Sequence, residues 1–206
     1  MNIPTWFKCR DIDPRNAVCI SIATTGFSQN KHNIMALSFR RVRDTEPTTI
    51  YISGVDYELT VKQQPYTRIS PEVYADESIQ VGMAQTRLKE LLGNPPFVMT
   101  YSVDKWYSKW TDHRILTVLE EWPILDILDV VRYTESAGPP IQPEVEDTIG
   151  FTEYLTRHLQ GAPKAGKVED VFSRLLTGYT KQLEIPVTEQ YVNNMCDIVQ
   201  HTGLFR

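Results

Sequence analysis

The residues able to do chemistry are few in this chain, and their spacings form no ready-made catalytic set. Its four histidines are His32, His113, His158 and His201. None stands with another His or Cys at the spacing of a metal site. The three cysteines, Cys9, Cys19 and Cys196, are odd in number and share no metal-like spacing. Cys19 lies in an apolar run, where a thiol behaves as a small hydrophobe. Ser21, Ser38 and Ser102 have no nucleophile elbow around them. The turn at 161–167 carries Lys164 between Gly161 and Gly166, and Lys167 directly after. It lacks both the spacing and the following Ser or Thr of a phosphate loop, so a solvated turn is its plain reading. Tyr101, Trp106, Tyr107 and Trp110 are the densest aromatic group. Such rings can stack on nucleic-acid bases or pack in a core, and packing is the better reading for Trp110. These spacings lead us to expect no metal and no cofactor.

The elements that must position these residues begin with 18–42. Val18 to Ala23 alternates apolar and small residues, stops at Thr25-Gly26, and is followed by a polar run and then Ile34 to Phe39. Two strands joined by a polar turn are predicted. Residues 48–53 read as a third strand between Pro47 and Gly54. Residues 55–78 read as a long irregular loop of the kind that serves function or covers a core. Val81, Met83, Ala84, Leu88, Leu91 and Leu92 predict a helix over 79–92, ended by Gly93-Asn94-Pro95-Pro96. A short buried strand is expected at 97–100, a helix at 105–121, and a strand end with a helix after Pro123. Residues 136–143 form a Gly/Pro-rich linker. Helices are expected at 148–160, at 168–183 and after Ile185-Pro186. The last carries Val187, Tyr191, Val192, Met195, Ile198 and Val199 as an apolar stripe.

Thr24-Thr25-Gly26-Phe27 at the end of the first strand, with this order of elements, resembles the DEDD 3′–5′ exonucleases of the ribonuclease H-like fold. The resemblance covers nearly the whole chain to Leu183. It implies an α/β fold with three antiparallel strands, then parallel strands, flanked by helices. It also implies where the chemistry would sit, because four carboxylates of that family hold two divalent ions on the phosphodiester. This chain has Ser21 and Ala23 at the two ligand positions of the first strand and Trp106 at that of the second motif. In the last motif Ala165 stands for the general base, and Asp170 alone remains of the carboxylates. Hard divalent ions need anionic oxygens, which Ser, Ala and Trp do not supply. The chain is therefore expected not to be an enzyme, and no catalytic or metal residue is assigned.

At 206 residues the chain has room for one well-buried domain. We expect an exonuclease-like domain at 1–184 and a helical extension at 185–206 that packs on it or docks to a partner through Tyr191, Met195 and Ile198. A fold kept without its ligands points to a protein-binding adaptor, and the resemblance admits an accessory protein of a large virus. A second reading is a non-cleaving binder of single-stranded nucleic acid, with Thr24, Thr25, Phe27, Tyr101 and Trp106 as contacts. A third is a nuclease using displaced ligands such as Asp104, Asp112 and Asp170. The net charge of −5 argues against a broad nucleic-acid surface but not against a local groove. Nothing reads as a signal peptide or a membrane span, so the cytoplasm is the expected setting, a host's if the chain is viral.

Overall fold

In a computed structural model the placement of residues 16–26, 28, 31–100, 110, 113–127 and 185–201 is described. Among them runs a five-stranded mixed sheet in the order β3-β2-β1-β4-β5. β1 is Val18–Thr24, β2 Ile34–Arg41 and β3 Thr48–Tyr51, with β1–β2 and β2–β3 antiparallel. β4, Val98–Thr100, lies parallel to β1, and β5, Ile124–Asp126, lies parallel to β4. Three antiparallel strands, then two parallel ones on the other side of β1, with helices on the sheet, is the ribonuclease H-like arrangement expected from the sequence.

The period of two in β1 and β2 decides what lies above and below. Ile20 and Ile22 pair with Phe39 and Leu37. With Val18 and Ile50 they form one core with Ala84, Leu88 and Leu92 of α3, Val81–Leu92. Those three helical residues recur every fourth position, so one stripe meets the sheet. The opposite face carries Ser21 across from Ser38 and Ala23 across from Ala36. Small side chains there let a helix approach closely. That helix is α5, Val187–His201, which buries Val192, Met195, Cys196 and Val199 completely. Polar contacts fix its line. Ser38 donates to the Thr188 hydroxyl (2.7 Å), Arg40 reaches Asn193 (3.0 Å) and Asp197 (3.6 Å), and Gln200 reaches the Val42 carbonyl. The helix thus runs alongside β2, its first turn towards the end of β1.

The 55–78 stretch is not the irregular loop expected. It folds as α1, Tyr57–Thr67, and α2, Pro71–Glu77. α1 shows no apolar stripe because its buried positions are threonines. Thr60 and Thr67 satisfy their hydroxyls on the helix's own carbonyls, at Tyr57 and Gln63. Arg68 closes α1 in the left-handed region at φ 55°. Ser70 then caps α2, accepting from the Val73 N–H ahead of Pro71 and Glu72. The 105–121 helix is also corrected where residues are described. Arg114–Thr117 is a single α turn, α4, and Val118–Glu121 is 3₁₀. No helix among the described residues is long and apolar enough to cross a membrane.

Candidate functional site

β1 and β4 are parallel neighbours, so both end on the same side of the sheet, and there the chain leaves β1 through the Thr-Thr-Gly turn. The Thr24 hydroxyl donates to the Gly26 carbonyl at 2.8 Å. Thr25, buried, donates its N–H to the Asn33 carbonyl and accepts the Asn33 N–H on its hydroxyl, each at 3.0 Å. Both amides of Lys31 and His32 donate to the Ser28 carbonyl at 3.0 Å. The His32 Nδ1 lies 3.3 Å from the Ser28 N–H and 3.0 Å from the Ser28 carbonyl. The imidazole therefore latches the turn whichever tautomer it holds.

Gly26 is required by that latch. A Cβ there would stand 2.5 Å from the His32 Nε2. Gly26→Ala is expected to push the ring out and cost about 1 kcal/mol, through loss of the His32–Ser28 hydrogen bond. Urea denaturation reads the loss, and in a His32→Ala background, where the hydrogen bond and the clash are both gone, Gly26→Ala should cost little more.

Inward from the turn, the face of β1 and β2 holds a run of hydroxyls. Ser38 lies 2.7 Å from the hydroxyls of both Thr49 and Thr188, and Thr49 donates to Glu189 of α5 at 2.5 Å. Beside them the Tyr51 phenol is pushed up to about 12, first by burial and then by Glu189 and Glu77, so it stays protonated. Glu189 was not singled out in the sequence. Only the path of α5 across the sheet brings its carboxylate here, and its place in the first turn of the helix is the signal that was available.

Ser21 and Ala23 occupy β1 as expected, half-buried and buried. Their side chains do not fit a divalent ion, since neither offers an anionic oxygen. Among the described residues no three His, Cys, Asp or Glu side chains are placed to hold a metal. Thr24 and Thr25 stand together at the end of β1. Phe27, Tyr101, Trp106, Ala165 and Asp170 lie outside the described residues, as do Asp104 and Asp112. Of the stripe on α5, Met195 is fully buried and Tyr191 half-buried, and the side chain of Ile198 is not described. Trp110 is core, at 1% exposure.

At the same end of the sheet, His113 and Arg114 begin the α4 turn. Burial holds the His113 imidazole below its ordinary 6.5. As pH falls through 6.5 the unfolded chain takes its proton first, so stability falls with pH and levels off below the lower folded value. Thermal melts between pH 8 and pH 5 are expected to show that decline, and His113→Gln should make it shallower.

No family model and no curated protein matches the chain. Solved structures do. Exonuclease I from Methylocaldum szegediense is 20% identical, with 82% of this chain and 41% of that chain covered and a TM-score of 0.45. Escherichia coli exonuclease I in complex with a dT13 oligonucleotide is 12% identical, covering 89% and 40%, with a TM-score of 0.48. A complex of exonuclease I with an SSB C-terminal segment is 13% identical, covering 89% and 43%, with a TM-score of 0.43. The chain spans less than half the length of these proteins. They agree with the fold read from the sheet and go no further than fold. They also correct one expectation. The chain was expected not to be an enzyme, yet the structures it is similar to are exonucleases, and nothing among the described residues shows that activity is lost.

Proposed function

We propose that this exonuclease-like domain holds single-stranded nucleic acid at the carboxyl ends of β1 and β4. The observation that carries the reading is the reversal of strand order at β1, beside which the chain lays β2 and β3 on one side and then β4 and β5 on the other. In open α/β sheets ligands sit outside the strand ends at such a switch. The braced Thr24–Gly26 turn and the latched His32 give that end a fixed polar rim. Tyr101 follows β4 directly in sequence and Trp106 comes shortly after, supplying rings for base stacking.

The test is fluorescence polarisation with a labelled single-stranded DNA and an RNA of the same sequence. Saturable binding is expected. Tyr101→Ala and Trp106→Ala should each weaken it by about 1–3 kcal/mol, the worth of one stacked base. With a net charge of −5, stacking rather than phosphate neutralisation supplies the affinity, so its salt dependence should be shallow. Absence of saturable binding to either strand sinks the reading. Adding Mg²⁺ or Mn²⁺ to the same mixture shows whether the domain also cuts what it holds.

A second reading, a protein-binding module, has its own observation. Tyr57, Val61 and Tyr66 of α1 and Val73 of α2 are exposed large apolar side chains on adjacent helices. Recovery of a stoichiometric partner that is lost with Tyr66→Ser would favour it.

A further inference from the structure

β1 and α5 each bring a cysteine to the face on which they meet. The period of two that turns Val18, Ile20 and Ile22 towards α3 turns Cys19 the other way, with Ser21 and Ala23. Arg40, opposite Cys19 in β2, reaches Asn193 and Asp197 of α5 at 3.0 and 3.6 Å. Cys196 lies between those two residues in the helix, and its thiol donates to the Arg40 carbonyl at 3.6 Å. Both thiols are free and buried. We propose that Cys19 and Cys196 are a reversible disulfide clasp, which fastens α5 to β1 when a small-molecule disulfide oxidises them.

The packing suits the bond. A disulfide needs its Cα atoms about 4.4–6.8 Å apart, so the helix must lie close on the sheet. Cα atoms of α5 and β1 come within 8 Å of one another, and Ser21 and Ser38, next along the same face, are small enough to allow it. Burial first, and then a hydrogen bond with the Cys196 thiol, push the Cys19 thiol well up. Under the closed helix Cys19 therefore stays an unreactive thiol, and Cys196, fully buried, is out of an oxidant's reach. The exchange begins when α5 lifts. One protein thiolate attacks a sulfur of the small disulfide, forming a mixed disulfide and releasing one small thiol. As α5 reseats, the second protein thiolate displaces the other small thiol. The small disulfide gains two electrons and the two protons that the cysteines give up, and one S–S bond joins helix to strand. That bond closes a loop from the first strand to the last helix, and long loops are where a cross-link constrains the unfolded chain most.

Cys9→Ser leaves these two as the only thiols of the chain. Incubation of that protein with oxidised glutathione in sub-denaturing urea, which lifts α5 transiently, tests the clasp. Peptide mapping is expected to find Cys19 joined to Cys196, with the intact mass lower by two hydrogens. The melting temperature should rise by about 5–15 °C, and dithiothreitol should reverse both changes. Cys196→Ala in the same background should show no rise. Chains that end as glutathione adducts, as disulfide-linked dimers or with both thiols still free overturn the proposal. So does a joined pair whose melting temperature fails to rise, because the bond would then strain the seat of α5 instead of fastening it.

Discussion

Trp110→Ala is expected to cost about 3–5 kcal/mol of folding stability, the range for deleting a large buried aromatic. A domain of this size is stable by about 5–15 kcal/mol, so the variant should sit near the edge of folding. Trp110 is 1% exposed and belongs to the core shared by Leu88, Ile115, Leu116, Leu119 and Trp122. Its carbonyl accepts the His113 N–H at 2.9 Å, the bond that leads into α4. Removing the indole therefore opens a void under α4 as well as losing buried area. Equilibrium denaturation in guanidinium measures the change, and Trp110→Phe should recover about half of it. A loss below about 1 kcal/mol would place the ring outside a tightly packed core. It would return Trp110 to the group of aromatics available for base stacking.

What was legible in the sequence follows from how each element is buried. β1, β2 and α3 have apolar side chains at the period of their own structure, and each was read with its partners in order. The three β-rich runs suggested the antiparallel strands, and the mixed sheet with its parallel strands was implied by the resemblance to the exonucleases. α1 was missed because it buries no apolar stripe, and α2 because seven residues with Tyr74 packed on Tyr51 make too short a pattern to read. Their buried positions include Thr60 and Thr67, whose hydroxyls bond their own helix, and Pro65 near the end of α1 reads as a breaker. Ser70-Pro71-Glu72 was the start signal that did exist. The site was legible only as far as local sequence carries it. Thr24, Thr25 and Gly26 announce a turn. The His32 latch needs the return of the chain onto Gly26, and the meeting of Cys19 with Cys196 is tertiary.

α5 is where sequence and structure bear on each other most. Its apolar stripe was compatible with docking to a partner, but in the fold it packs on β1 and β2. Met195→Asp is expected to unfold the domain. Met195 is fully buried between Val192, Cys196 and Val199. Losing its burial costs about 1.5–3 kcal/mol, and placing a lone carboxylate there adds several more. The sum reaches the whole stability expected of such a domain. Asp197→Ala is the matched control. Asp197 is about half exposed, 3.6 Å from Arg40, so its loss should stay within about 1 kcal/mol. Removing residues 185–206 should act as Met195→Asp does, because it bares the Ser21–Ala23 face together with the buried thiol of Cys19. A truncated chain would then fail to bind any partner because it is unfolded, whichever surface that partner uses. Circular dichroism melts of the three variants separate the cases. A Met195→Asp melt within a few degrees of the parent would mean that α5 is not seated on β1 and β2, and its stripe would be free for a partner after all.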